Sequence, residues 1–390
     1  MGKTLLLFAL AVWAAAPAAV RLKTDDPARF HRYYERSNRL LYVGGEYPAK
    51  TGLGVFEVAT GKSRLFTFPE QFLPGPFLTL EDQDQALVES EDHSDGQGSS
   101  FIQRVDLKDG TVLGRIPLGE GVGLAGLGRP AWSREAFLIL TARDRTFLKT
   151  LDPATGAAQE SRLLGAFRTV HAVFDETGPW AVLRVEEKGK SRFLVVDLRA
   201  GKVLRDFPTE TGFDGLVGGA GGILAHARLP GETTTVLTRL DPAAGTAREL
   251  GRCEGELENL MEAGGRVYVL SRDTSVPPVD KLLRERLLVV FDERRPGPPQ
   301  TLRWTKRLGE FAGYSAAAGK LYFAATEPSS VWELPADPAG LPAAVQELDR
   351  RTGEFWGSDR QSWVLGGLAV VVLFGIALAV AMRPACKSCG

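Results

Sequence analysis

The chain has 390 residues, of which 44% are apolar and 24% charged, and its formal net charge is −1. This is the composition of an ordinary globular protein, and the 44 glycines and 23 prolines indicate many tight turns. The balanced charge argues against nucleic acid as a partner, because no basic stripe and no recognised binding motif accompanies the arginines.

Residues 1–19 predict a secretory signal peptide. Lys3 precedes an apolar stretch from Leu5 to Ala16, and small residues follow around Ala18. The apolar stretch is short for a helix that spans a membrane. We expect cleavage after this segment, and an uncleaved amino-terminal anchor is the alternative.

From residue 29 to residue 349 the chain repeats one unit. In each copy an apolar run ends in an acidic residue, and a glycine follows three to five positions later. The copies start at Glu57, Asp106, Asp152, Asp197, Asp241, Asp292 and Asp337, with spacings of 44 to 51 residues. An aspartate side chain can accept a hydrogen bond from the backbone N–H two residues further along the chain, and glycine adopts a positive φ without strain. Each copy therefore predicts a hairpin between two short strands.

Each hairpin follows two further candidate strands, so a unit contains four. The second strands are predicted at Leu40 to Val43, Ala86 to Val88, Phe137 to Leu140, Ala181 to Val185, Ile223 to Ala227, Val267 to Leu270 and Leu321 to Ala325. A single four-stranded sheet cannot bury both of its faces, whereas a closed ring of sheets covers each one. The period predicts an all-β, seven-bladed β-propeller. One or two β-sandwiches are the alternative, but they would not need a turn signal at a fixed period.

The runs VDLRAGKVL, LDPATGAAQ and VATGKSRLF resemble the blade repeats of the bacterial propeller superfamily with YVTN-type, PQQ-type and WD40-like repeats. The resemblance spans nearly all of residues 29–349, and it implies a fold rather than an activity. PQQ enzymes carry a docking tryptophan a few residues after the glycine, where this chain has residues such as Leu65 and Val112. We therefore expect no PQQ cofactor, and the sequence predicts no other.

Gly121, Gly123 and Gly126 form a G-x-G-x-x-G pattern. A dinucleotide site needs a helix that begins inside this pattern, but Arg129 and Pro130 follow at once. We interpret the segment as a flexible connector between the second and third blades, without a dinucleotide.

The four histidines, His31, His93, His171 and His226, fall in different repeats, and no G-x-S-x-G motif occurs. This argues against a serine hydrolase and against a metal enzyme with several histidine ligands. His171 and His226 lie on or beside apolar strand segments, so we expect them to be hydrogen-bonded core residues.

Two insertions account for the widest spacings, at residues 90–100 in the second blade and 271–286 in the sixth. The candidate binding residues are Asp92, His93 and Asp95 in the first insertion and Arg272, Lys281, Arg284 and Arg286 in the second. Both insertions join a second strand to a third, so they share one face of the ring and oppose each other across the channel. One acidic and one mixed rim suit a protein or peptide partner. A Ca²⁺ site in the acidic loop is the alternative, but the carboxylate spacing matches no known calcium loop.

The carboxyl end predicts a membrane anchor. A polar juxtamembrane linker, residues 350–362, precedes twenty uncharged residues at 363–382, the length of one bilayer crossing. Arg383 and Lys387 follow the span, and Trp356 and Trp363 lie on its other side, so residues 383–390 should form a cytoplasmic tail.

The three cysteines fall on two sides of this predicted membrane. Cys253 is alone in the propeller, so no disulfide can form there. Cys386 and Cys389 form a C-x-x-C pair in the tail, which could bind a metal or cycle as a dithiol, with idle reduced thiols as the plainer alternative.

Together these features predict a single-pass membrane protein whose propeller lies in the periplasm or at the cell surface and acts as a binding or scaffolding module. The alternative is a propeller enzyme, a hydrolase or a redox protein, with its site at the central channel.

Overall fold

The computed structural model describes residues 29–34, 37–44, 52–68, 77–92, 99–187, 190–207, 213–219, 221–229, 231–272, 286–295, 297–304, 310–326 and 329–347. The predicted signal peptide (1–19), linker (350–362), membrane span (363–382) and tail (383–390) lie outside these residues. Within the described ranges, no helix has the length and apolar character needed to cross a bilayer.

The described residues form seven antiparallel sheets, each with its strands in chain order. The first contains β1 (Arg29–Tyr34), β2 (Arg39–Gly44), β3 (Gly52–Glu57) and β4 (Lys62–Thr67). The second contains β5 (Phe77–Leu80), β6 (Gln85–Asp92), β7 (Ser99–Asp106) and β8 (Val112–Gly119). The third contains β9 (Val122–Gly128), β10 (Ala136–Ala142), β11 (Arg145–Leu151) and β12 (Arg162–Gly165). The fourth contains β13 (Arg168–Phe174), β14 (Trp180–Glu187), β15 (Lys190–Asp197) and β16 (Lys202–Asp206).

Three more sheets complete the ring. The fifth contains β17 (Gly215–Gly219), β18 (Gly222–Arg228), β19 (Thr234–Asp241) and β20 (Thr246–Glu254). The sixth contains β21 (Glu256–Ala263), β22 (Arg266–Arg272), β23 (Arg286–Asp292) and β24 (Gln300–Trp304). The seventh contains β25 (Glu310–Ser315), β26 (Lys320–Thr326) and β27 (Ser329–Pro335). First strands of neighbouring sheets contact one another, so they line the central channel. All seven predicted second strands are confirmed.

The seventh blade departs from the prediction of four strands per unit. After β27 the chain turns at Asp337 and enters a short helix, α1 (341–347), where the repeat predicts a fourth strand. Pro342 lies in the first helical turn, where its missing N–H is harmless, and alanines with high helix propensity follow. Leu341, Ala344 and Val345 are buried against β26 and β27, so the helix closes this blade by packing rather than by pairing.

Seven apolar clusters of the described residues hold the ring together, each between two neighbouring sheets. The joint that closes the ring lies between the first and seventh blades. There Leu40, Tyr42 and Phe56 pack against Tyr322 and Val331. Sheets one and seven share no strand within the described chain, so side-chain packing makes this closure.

The repeated turns form as the sequence predicts. In the second blade the carboxylate of Asp106 accepts a hydrogen bond of 2.8 Å from the backbone N–H of Lys108, and Gly110 has a φ of 81°. These turns lie between third and fourth strands. We call the face of the ring that carries them the lower face, and the face with the loops between second and third strands the upper face.

The lower-face turns also join neighbouring blades, a role that the sequence did not reveal. Arginines of one blade donate hydrogen bonds to backbone carbonyls in the turn of the next. The pairs are Arg64 to Lys108 at 2.6 Å, Arg104 to Ala154 at 2.6 Å and Arg205 to Ala244 at 3.2 Å. The lower-face turns are thus part of the ring's own structure.

The glycine-rich segment at residues 121–126 is not a flexible connector, so that interpretation was wrong. Gly123 and Gly126 lie within β9, the channel-lining strand of the third blade. A Cβ atom on Gly126 would lie 2.7 Å from the Cβ atom of Ala172 on β13, far inside contact distance. A Cβ atom on Gly128 would lie 2.3 Å from the ring of Phe174. These glycines allow two inner strands to approach closely.

Candidate functional site

The strands that flank the two predicted insertions end at the upper face. In the second blade β6 and β7 pair as far as Asp92 and Ser99, and in the sixth blade β22 and β23 pair as far as Arg272 and Arg286. The remaining predicted residues, which are His93, Asp95, Lys281, Arg284, Cys386 and Cys389, lie outside the described residues. The Ca²⁺ and C-x-x-C interpretations therefore stay predictions.

Arg272 and Arg286 bind a carboxylate of their own chain. They lie directly opposite each other on β22 and β23, where two like charges would repel. Glu258 on β21 resolves this: one oxygen pairs with Arg272, and the other lies 2.7 Å from the Nη2 atom of Arg286. The side chains of Glu258 and Arg286 are only 11% and 12% exposed. This ion cluster fixes the base of the sixth-blade hairpin.

Local sequence gives no sign of Glu258, because it precedes its two partners by 14 and 28 residues. The register of β21 against β22 shifts between Leu257 and Asn259, so Glu258 is the extra residue of a β-bulge. Bulges re-aim side chains, and this one occurs at the carboxylate that both arginines bind.

Glu89 contributes the perturbed carboxyl group of the second blade. Burial raises the pKa of Glu89 to about 7, the nearby carboxylate of Glu91 adds to the rise, and the backbone N–H of Leu124 opposes it. Near neutral pH this carboxyl group is therefore partly protonated. The acidic insertion carries less negative charge at its base than the sequence implies.

A cluster of basic groups occupies the upper part of the joint between the fourth and fifth blades. His171 on β13 lies opposite Arg184 on β14. The Nη1 atom of Arg184 donates a hydrogen bond of 2.6 Å to the backbone carbonyl of Asp214, at the entry to the fifth blade. His226 on β18 belongs to the same cluster, since Arg184 and Asp214 both influence its pKa.

The expectation of hydrogen-bonded core histidines was wrong. His171 is exposed to solvent on β13, although neighbouring groups crowd its imidazole ring, and His226 is only partly buried. Neither imidazole has a hydrogen-bond partner within the described chain. The register shift on β13 between Thr169 and His171 explains the exposure of His171, because a β-bulge re-aims the side chains at that point.

The lower end of the channel is a cavity of about 870 Å³. Its wall combines apolar side chains, such as Leu127, Phe174 and Leu260, with polar surface in similar measure. Charged side chains in the wall pair with other residues of the ring. Arg129 donates two hydrogen bonds, of 2.8 and 3.0 Å, to the carboxylate of Asp82.

Comparison with solved structures supports the architecture. Oligogalacturonate lyase in complex with manganese is similar to this chain with a TM-score of 0.59 and 13% identity over 82% of this chain and 93% of the lyase. Hydrazine synthase of Kuenenia stuttgartiensis is similar with a TM-score of 0.56 and 13% identity, over 80% of this chain and 97% of the synthase. The Swd1 β-propeller domain of Myceliophteria thermophila is similar with a TM-score of 0.56 and 11% identity, over 80% of this chain and 98% of that domain.

No protein-family model matches the chain, and no curated protein matches it. At such low identity, likeness to solved structures shows the fold alone, and an enzyme and a WD40-like domain are equally compatible with it. With the seven sheets and their closed ring, the chain has the fold of a seven-bladed β-propeller.

Proposed function

We propose that this propeller is a binding module, anchored to a membrane and lying outside the cytoplasm, whose upper face receives a protein or peptide. One observation carries the proposal: the two hairpins with insertions, in the second and sixth blades, rise from the same face. In a ring of seven these blades are three steps apart, so their hairpins oppose each other across the channel.

The two sides of this face differ in charge. Glu89, Glu91 and Asp92 extend along β6 towards the acidic insertion, whereas Arg272 and Arg286 flank the mixed one. Glu258 compensates one of the two arginine charges and holds the hairpin base in place. A partner with complementary charges would be oriented by such a rim, since unlike patches guide encounter and register.

The lower face supports the choice of side. The backbone carbonyls of its turns accept hydrogen bonds from the preceding blades, so these turns serve to join the blades of the ring. Membrane attachment rests on sequence: the signal peptide at 1–19, the uncharged span at 363–382 and the cations after it. Together these features support a propeller presented close to the membrane surface.

The alternative function is an enzyme with its site at the central channel. The observation that favours it is the presence of titratable groups with shifted pKa values in the upper half of the ring, namely Glu89 and the two histidines. General acids and bases show such shifts. These groups lie in different blades, and no described contact joins Glu89 to the histidines, so we rank this function second.

The binding function is tested by crosslinking the full-length protein to its partner in membranes and comparing recovery across variants. One variant replaces Asp92 and Asp95 by asparagine, and another replaces Lys281 and Arg284 by glutamine. We expect recovery to fall about thirtyfold or more, because loss of a desolvated interfacial charge costs roughly 2–5 kcal/mol. Arg286 is left intact, because its pairing with Glu258 would confuse stability with binding.

The matched controls are Lys108→Ala and Lys202→Ala, which remove exposed cations at the lower face. They should recover as much partner as the wild type. Equal losses from both faces, or from neither, would contradict the assignment of the upper face.

A further inference from the structure

The joint between the fourth and fifth blades holds a cationic group without a counterion. The guanidinium group of Arg184 is partly buried, and it donates hydrogen bonds to the Oγ atom of Ser191 at 3.3 Å and to the backbone carbonyl of Asp214 at 2.6 Å. Both acceptors are neutral. Within the described ranges, no carboxylate lies at ion-pair distance from Arg184.

Asp214 does not fill this role. Its carboxylate accepts a hydrogen bond of 2.6 Å from the backbone N–H of Arg228, the last residue of β18. Burial of a guanidinium group without an anionic partner is costly, and its remaining N–H groups can donate to an incoming anion.

Two histidines border the same guanidinium group. His171 lies directly opposite Arg184 in the strand register, so the two side chains share the sheet face that looks towards the fifth blade. His226 comes from the fifth blade, where its ring occupies the space that a side chain at position 215 would need. A Cβ atom on Gly215 would lie 2.3 Å from its Nε2 atom.

The glycine therefore has a specific consequence. Gly215 is the residue of the inner strand β17 that pairs with His226 on β18. Because it carries no side chain, an imidazole from the second strand can approach the channel wall. His226 therefore lies beside the first residue of β17, at the upper end of that inner strand.

We propose that Arg184, His171 and His226 form a binding subsite for an oxyanion, the carboxylate or phosphate group of a ligand. Arg184 supplies the permanent charge and planar donors that match such a group. The imidazoles supply further donors and gain a proton as the anion binds. The subsite can be tested without the partner protein, so the result of its test is independent of the proposed function.

The surrounding charges are compatible with this role. Arg168 and Glu186 face each other at the upper end of the same sheet, and Asp214 and Arg228 lie at the entry to the fifth blade. These four residues contribute two positive and two negative charges, so Arg184 gives the region a net positive charge. In the unliganded protein, burial and the Arg184 charge lower the pKa of His171. Burial also lowers the pKa of His226, although Asp214 opposes this.

Binding should therefore depend on pH with a defined sign. Both imidazoles are neutral at pH 7, since their pKa values lie below the ordinary 6.5. A bound anion favours the protonated forms and raises both pKa values. Affinity for the anion should rise as pH falls from 7 towards 5.

The test is an NMR titration of the histidine side chains in the full-length protein in detergent, with inorganic phosphate and with acetate as separate probes. We expect phosphate to raise the pKa of both histidines and to bind more tightly at the lower pH. A response to acetate as well would identify a general oxyanion site, and a response to phosphate alone a phosphate site. No shift with either probe would overturn the proposal.

Variants separate binding from folding. Arg184→Gln should weaken phosphate binding about tenfold or more, because a charge-assisted hydrogen bond is lost. The matched control is Arg192→Gln in the same blade, an exposed arginine that pairs with Glu187 and Asp206 and should bind phosphate as the wild type does. His226→Gln keeps the Arg184 contacts and should reduce the pH dependence of binding. Unchanged binding and pH dependence in both Arg184→Gln and His226→Gln would contradict the assignment.

Discussion

Replacing Arg239 by alanine should destabilise the propeller by about 3–5 kcal/mol, because the change leaves the buried carboxylate of Glu262 without its cation and removes the closer of the two arginines that pair with Glu293. Arg239 lies on β19 of the fifth blade and is only 12% exposed. Its guanidinium group lies 2.8 Å from the carboxylate of Glu262 on β21 and also binds Glu293 in the sixth-blade turn. Glu262 is 4% exposed, so water cannot replace the lost cation.

The matched control is Arg252→Ala. Arg252 forms an ion pair with Glu249 on the same strand, but it is exposed to solvent, and exposed pairs contribute little. Urea denaturation of both variants, followed by tryptophan fluorescence, gives the comparison. Similar denaturation midpoints for the two variants would show that the Arg239 network does not hold the blades together.

Tyr42→Ala should cost about 3–5 kcal/mol at the joint that closes the ring, as removal of a large buried aromatic side chain usually does. Tyr42 is 2% exposed and packs against Ala312, Tyr322 and Val331 of the seventh blade. Gly54 lies opposite it, and a Cβ atom there would lie 2.0 Å from the Cζ atom of the tyrosine. No strand crosses this joint within the described chain, so the lost packing has no substitute.

Leu113→Ala is the control for the loss of a large side chain. Leu113 lies on the outer strand β8 and is 37% exposed, so its truncation should have a small effect. Urea denaturation and limited proteolysis of the two variants measure the difference. A Tyr42→Ala protein as stable and as resistant to protease as Leu113→Ala would contradict closure by packing.

The repeat could be predicted from the sequence because its signal is local. Asp106 bonds the backbone of Lys108 within one turn, and Gly110 has the positive φ that the hairpin requires. The fixed spacing of these turns then predicts the number of blades. The helix at 341–347 differs from the prediction, because Pro342 and the alanines after it favour a helix where the turn at Asp337 indicates a hairpin.

The candidate site could not be predicted in the same way, because its partners are distant in sequence. Glu258 meets Arg286 only when three strands of the sixth blade assemble, and Arg184 reaches the backbone carbonyl of Asp214 only when two blades pack together. The same limit explains the error at Gly126. Its neighbour is Ala172, and flexibility was inferred where close packing is the reason for glycine.

The proposed function requires the propeller to lie outside the cytoplasm, and the native cysteines allow a direct measurement of its side. Cys253 is buried, its Sγ atom lies 3.7 Å from the carbonyl oxygen of Thr235, and burial raises its pKa to about 12, so it should not react with a maleimide. Cys386 and Cys389 belong to the predicted cytoplasmic tail.

Intact spheroplasts expressing the wild type and an Asp95→Cys variant are treated with a membrane-impermeant maleimide, before and after the membrane is permeabilised. The account predicts that the wild type is labelled only after permeabilisation, whereas Asp95→Cys is labelled in intact spheroplasts. Labelling of the wild type from outside, together with protection of Asp95→Cys until permeabilisation, would contradict a propeller that binds its partner outside the cytoplasm.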